Sequence, residues 1–131
     1  MSDDFYREHI LDHFRNPRNF GSLVAPDVSQ EMDNPLCGDK IRLDLQIRDS
    51  VVSAVAWEGR GCAVSLAAAS LLSERLEGKS LVEVKQIGKA EVLEDLGIIV
   101  SPARLKCALL ALNALRLALP DGRSEEVPGG D

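Results

Sequence analysis

The sequence predicts an α+β fold, with helices and strands segregated along the chain rather than alternating. Three observations carry that reading. A helical pattern opens the chain, two strand patterns follow between residues 41 and 57, and every periodic stretch beyond residue 63 is helical. Residues 3–15 read as a short amphipathic helix, with Phe5, Tyr6, Ile10 and Phe14 near one face and Arg7, Glu8, Asp12 and Arg15 elsewhere. Asn16-Pro17 ends it, because the residue before a proline disfavours helical geometry. Residues 20–36 carry no strong period, and a strand over Val28–Met32 is only weakly marked. Ile41, Leu43, Leu45 and Ile47 then alternate with Arg42, Asp44 and Gln46, which predicts a strand with one buried face and one wet face. A turn at Arg48-Asp49-Ser50 leads into a second strand, Val51–Trp57, to make a hairpin.

The remaining elements are helices. Ala63–Glu77 is nearly all apolar or small and is stopped by Gly78, so it should be largely buried. Ser80-Leu81-Val82-Glu83 has the spacing of a capping box and starts a short helix. Ala90–Leu96 forms another, ended by Gly97. Ser101-Pro102 marks the start of a last helix, whose stripe of Leu105, Leu109, Leu112 and Leu119 runs to Pro120-Asp121-Gly122. Beyond it, residues 123–131 form a polar, frayed tail.

At 131 residues the chain is expected to be a single domain over 1–131. Its 45% apolar content excludes a disordered chain, and the scarcity of aromatics leaves a core of Leu, Val, Ile and Ala. A net charge of −6 and a pI near 4.9 exclude a nucleic-acid partner, since no basic field exists to drive counterion release. The acidic opening Met1-Ser2-Asp3-Asp4 and the short apolar runs lead to the expectation of neither a secretory signal nor a membrane span. Three cysteines is an odd number for a disulfide framework and fits thiols kept reduced in the cytoplasm.

Those cysteines carry the chemistry. Cys37 lies in Asn34-Pro35-Leu36-Cys37-Gly38-Asp39, Cys62 follows Gly59-Arg60-Gly61, and Cys107 lies behind Ser101-Pro102 in the first turns of a predicted helix. In an extended Cys37-Gly38-Asp39, residues two apart point to one side, so thiolate and carboxylate converge. Cys62 opens a helix, where free N–H groups favour a thiolate, and Lys106 directly precedes Cys107. Three thiolates and Asp39 make a set of four metal ligands; the alternative is that Cys62 and Cys107 are small buried residues on apolar helices. His9 and His13 are four apart and could share a face, but a solvated helix face is the expected reading. Nothing marks a Cys–His hydrolase, and Gly59-Arg60-Gly61 is too short for a phosphate-binding loop.

Four segments in order resemble the IscU/SufU/NifU-type iron–sulfur cluster assembly proteins. They are Tyr6-Arg7 through Asp12-His13-Phe14-Arg15-Asn16-Pro17-Arg18-Asn19, then Asn34 to Asp39, then Gly59 to Ser65, then Pro102 to Ala108. The resemblance implies a small antiparallel sheet of about three strands packed against several helices. It also implies Cys37, Asp39, Cys62 and Cys107 as ligands. Lys106 stands where IscU-like scaffolds have a histidine, and Val100-Ser101-Pro102-Ala103-Arg104 keeps one proline of their Leu-Pro-Pro-Val-Lys motif. Both features look like SufU, although the extra segment usual in SufU between the second and third cysteines is absent.

The expected function is a scaffold that accepts sulfur from a cysteine desulfurase, at Cys107 or Cys37, and builds or relays a [2Fe–2S] cluster to apo acceptor proteins or downstream carriers. Lys106 would support the Cys107 thiolate. The alternative is a Zn²⁺-bound sulfurtransferase using the same four groups, and a third reading is a domain whose zinc is purely structural. Arg15 and Arg18, flanking Pro17, are expected to be exposed and to meet acidic residues of the desulfurase.

Overall fold

The computed structural model describes residues 3–35 and 38–119. Helix α1, Asp3–Arg15, ends where Asn16 precedes Pro17. Three strands follow, β1 at Val28–Asn34, β2 at Asp39–Arg48 and β3 at Val51–Arg60, and they form one antiparallel sheet in the order β1-β2-β3. Asp49 and Ser50 turn the β2–β3 hairpin with φ of 53° and 62°. Two successive left-handed residues match the right-handed twist of the strands, and the short polar Asp tolerates that conformation. The helices are α2 at Ala63–Leu76, α3 at Leu81–Lys85, α4 at Lys89–Leu96, α5 at Pro102–Ala108 and α6 at Leu110–Ala118. The α+β class is as the sequence predicts, and the small three-stranded sheet is as the family resemblance implies.

The capping signals act as expected. At α3 the Ser80 hydroxyl accepts the Glu83 N–H at 3.2 Å, and the Glu83 carboxylate accepts the Ser80 N–H at 3.1 Å. Gly97 ends α4 in the left-handed conformation, φ 71°. The inner face of the sheet, with Ile41, Leu43 and Leu45 at 2% exposure or less, packs against α6 and α2 through residues such as Leu72 and Leu112. Each such side chain contributes about 1.5–3 kcal/mol by leaving water. No helix among the described residues is long and apolar enough to cross a membrane.

Three expectations need correction. The final helix is not continuous: Leu109, with φ −103° and ψ 5°, separates α5 from α6. The apolar stripe runs unbroken across that point and no Gly or Pro marks it, so periodicity carried no sign of the break. The outer face of β2 is not uniformly wet, because Asp44 is buried. Its carboxylate accepts the Ser29 hydroxyl at 2.6 Å, the Leu23 N–H at 3.2 Å and Arg42 Nε at 3.3 Å, so the segment before β1 is strapped across that face. Phe14 is 40% exposed, while His13 is buried at 3%. The inward face of α1 therefore includes a histidine, whose partner lies on α2. The expected tail, residues 123–131, lies outside the described residues.

Candidate metal centre

Three chain segments meet at one end of the sheet. Asp39 is the first residue of β2, and Cys62 is the extended residue at the start of α2, with φ −74° and ψ 167°. Cys107 comes from α5. A carboxylate oxygen of Asp39 and the two Sγ atoms lie within 4.8 Å of one another. Asp39 and Cys107 are buried and Cys62 is half-buried, so the group forms the floor of an open cavity of about 480 Å³.

Local chemistry explains the convergence. Gly61 lets the β3–α2 junction press onto the site, since a Cβ there would sit 2.6 Å from Ser65 Oγ and 2.7 Å from Asp39 Cγ. Gly38 takes a left-handed φ of 75° and donates its N–H to Asn34 O at 2.8 Å, which closes the β1–β2 connection just before Asp39. Cys62 Sγ lies 3.8 Å from Asp39 Oδ2 and 3.7 Å from Ser65 Oγ. Burial raises the Cys62 pKa, but hydrogen bonds from the Ser65 N–H and hydroxyl, helped by Cys107, outweigh burial and the nearby Asp39 charge. The net shift is downward, toward the thiolate.

The donor set fits a thiophilic ion. Around a tetrahedral ion with bonds of about 2.0–2.3 Å, neighbouring donors stand roughly 3.5–3.8 Å apart, so this group needs to close by no more than about 1 Å. Two soft sulfurs and one carboxylate oxygen suit zinc or iron.

The structure places Asp39, Cys62 and Cys107 side by side, while Cys37 lies outside the described residues. Cys107 is the sixth of the seven residues of α5, not in its first turn. The N-terminal dipole therefore gives its thiolate little support, since that effect fades within a turn. Lys106 is exposed. His13 is not on a solvated face: its Nδ1 lies 2.7 Å from Ser70 Oγ, and His9, half-buried, packs edge-on against it at 4.9 Å. Arg15 is exposed as expected, but Arg18 Nη2 is bound to Asp12 Oδ2 at 2.6 Å. Three site residues were missed. Ser65 lies three residues after Cys62 and Arg104 three before Cys107, one helical turn in each case, and Arg60 lies two before Cys62. Those spacings were the available signal.

The fold and this site define a known class. The NifU-like N terminal domain matches residues 5–126, and the chain belongs to that family. It is 35% identical over 130 residues to the zinc-dependent sulfurtransferase SufU of Bacillus subtilis (strain 168), with 86% of this chain and 88% of that protein covered. To the iron–sulfur cluster assembly scaffold protein IscU of Escherichia coli (strain K12) it is 32% identical over 124 residues, covering 92% and 95%. The crystal structure of the N-terminal part of a nitrogen-fixing NifU-like protein from Brucella abortus superposes with a TM-score of 0.71 over 90% of this chain and 94% of that one. At 24% identity that likeness is one of fold.

Proposed function

We propose that this chain is an iron–sulfur cluster assembly protein that accepts sulfur from a cysteine desulfurase and assembles or relays a [2Fe–2S] cluster. The observation that carries the reading is the convergence of Asp39, Cys62 and Cys107, from three elements of this family's fold, on the floor of one open cavity. A thiolate here, Cys107 or Cys37, attacks the outer sulfur of the desulfurase persulfide. The S–S bond breaks, the desulfurase cysteine leaves as its thiolate, and the persulfide now resides on this chain. Ser65 favours the thiolate form of Cys62 beside it. The cluster is cargo, held by Cys37, Asp39, Cys62 and Cys107. One hard carboxylate among soft thiolates eases its passage to apo acceptor proteins or carriers. Thiols in this role fit the cytoplasm, where they stay reduced.

A second reading has its own support. The 35% identity to a zinc-dependent sulfurtransferase, together with Lys106 directly before Cys107, favours a zinc-bound relay of persulfide sulfur. Zn²⁺ held by the same residues would keep the thiolates deprotonated. Lys106, exposed beside Cys107, would support that thiolate electrostatically.

Anaerobic incubation with a desulfurase, ³⁵S-cysteine and ferrous iron, with ³⁵S uptake read first and a chemical reductant then added to carry the persulfide sulfur to sulfide, separates the two. The scaffold reading expects ³⁵S uptake and an iron–sulfur absorption band that disappears in Cys62→Ser and Cys107→Ser. The relay reading expects ³⁵S uptake with zinc retained and no band. Absence of both ³⁵S uptake and the band overturns the function in either form.

A further inference from the structure

Two arginines, Arg60 at the end of β3 and Arg104 in α5, line the same cavity as Asp39, Cys62 and Cys107. Both are exposed, and among the described residues neither guanidinium makes a hydrogen bond or an ion pair. The chain around them is acidic overall. Its 21 acidic residues outnumber its 15 Lys and Arg, and Arg18, Arg42 and Arg75 each hold a carboxylate at 2.6 Å. These two cations stand at the mouth of the thiol cavity with no carboxylate partner among the described residues.

We infer that Arg60 and Arg104 form an anion cradle that selects small carboxylate-bearing thiols as partners in sulfur transfer at this site. The inference rests on the sulfur-transfer reading for its chemistry. The cavity, about 480 Å³, is of the size that encloses a small molecule. Its charges are ordered by depth, with the Asp39 carboxylate buried beside the thiols and the guanidinium groups exposed. A ligand with a carboxylate at one end and a sulfur at the other meets both: the carboxylate takes the planar N–H donors of an arginine while the sulfur reaches the floor. The step is a simple exchange. The thiolate of the small acceptor attacks the outer sulfur of the protein persulfide, the S–S bond breaks, and the protein cysteine leaves as thiolate. The sulfur departs as the acceptor's persulfide, with no net oxidation.

Two measurements on the full chain test it. The first needs no sulfur transfer: alkylation of Cys62 and Cys107 in the metal-free protein, by anionic iodoacetate and by neutral iodoacetamide, read by peptide mass spectrometry. The iodoacetate-to-iodoacetamide rate ratio should exceed that of a free cysteine peptide by about tenfold at low salt, fall as salt rises, and drop toward the peptide value in Arg60→Gln and Arg104→Gln. The second follows ³⁵S release from the desulfurase-loaded, isolated protein to N-acetylcysteine and to its neutral amide, normalised to ³⁵S loaded and expressed per thiolate. The acid should be preferred by about tenfold, and each arginine variant should lose that preference. An alkylation ratio equal to that of the peptide, insensitive to salt, overturns the cradle even if a variant fails to fold. Equal release to acid and amide overturns its role in sulfur transfer. A raised alkylation ratio in a protein that accepts no ³⁵S supports the cradle and overturns the sulfur-transfer reading instead.

Discussion

Gly61 shows how a single residue sets the geometry of the site. It stands between Arg60 and Cys62, and the space a side chain needs is already held by Ser65 Oγ and the Asp39 carboxyl. Neither neighbour is the free end of a long side chain, so both must shift if a methyl group is added. Gly61→Ala should therefore destabilise the protein by about 1–3 kcal/mol, as overpacked interiors do. It should also weaken zinc binding, because the displaced groups are the proposed donor Asp39 and Ser65, which lies beside the proposed donor Cys62. Urea titration and a competitive chelator assay measure the two effects, and loss of stability without loss of zinc affinity would detach Gly61 from the site. Ligand identity is tested beside it. Cys62→Ser should lower zinc affinity by at least tenfold in the same assay, since a hydroxyl is a far poorer donor than a thiolate. His9→Ala, outside the donor group, should leave affinity within about twofold.

At the scale of elements, the docking of α1 and the segment behind it rests on a buried polar staple. Ser70 of α2 accepts the Arg18 N–H at 2.9 Å, and its own O–H is then available to donate to His13 Nδ1, 2.7 Å away. The neighbouring Ser73 accepts the Asn19 side chain at 3.1 Å, and Trp57 Nε1 donates to Arg18 O at 2.8 Å. None of this was legible in the sequence, because the His13–Ser70 pair spans 57 residues and no local pattern encodes a partner so distant. The break at Leu109 was hidden for the opposite reason, since local periodicity was intact on both sides. The capping box at Ser80 and the stops at Gly78 and Gly97 were legible because their chemistry is contained within a few residues. The staple also has a pH signature. Burial lowers the His13 pKa, Arg18 and His9 add to the shift, and Glu74 and Asp12 oppose it. The unfolded chain takes up this proton below about pH 6.5 while the folded one resists, so the contribution is full above that value and is lost as pH falls toward the lower native pKa. Stability in urea should drop between about pH 7.5 and about pH 5.5, with a flatter dependence in His13→Asn. Ser70→Ala, which leaves two buried groups unpartnered, should cost about 1–3 kcal/mol at neutral pH. An identical pH slope in wild type and His13→Asn would assign the dependence to other groups.

For the whole molecule, the relation between the core and the metal centre decides what the metal does. The core runs from Ile10 on α1 through Leu43 and Leu45 to Leu72, Leu96 and Leu112, and draws on the sheet and on α2, α4 and α6. The centre lies at one end of that body, where β2 begins and β3 gives way to α2. The candidate donors Asp39, Cys62 and Cys107 stood out in the sequence because each sits in distinctive local context, whereas their mutual distance, set by the packing of three elements, did not. A core built without the donors should fold without the metal. This separates a transfer or scaffold site from a structural zinc site, whose removal unfolds the chain. Zinc should still stabilise the fold through linkage, by about 2.7 kcal/mol at a hundredfold excess over its dissociation constant. That increment should shrink as pH falls, because the thiols must lose protons to bind. Thermal melts followed by circular dichroism, with zinc and with a chelator at each pH, isolate the increment, since the His13 contribution is common to both arms and cancels. Helical signal retained in chelator, with a lower melting temperature than the zinc form, is the expected result. Loss of the helical signal on chelation at low temperature would make the zinc structural and remove the reason for an open, half-exposed Cys62.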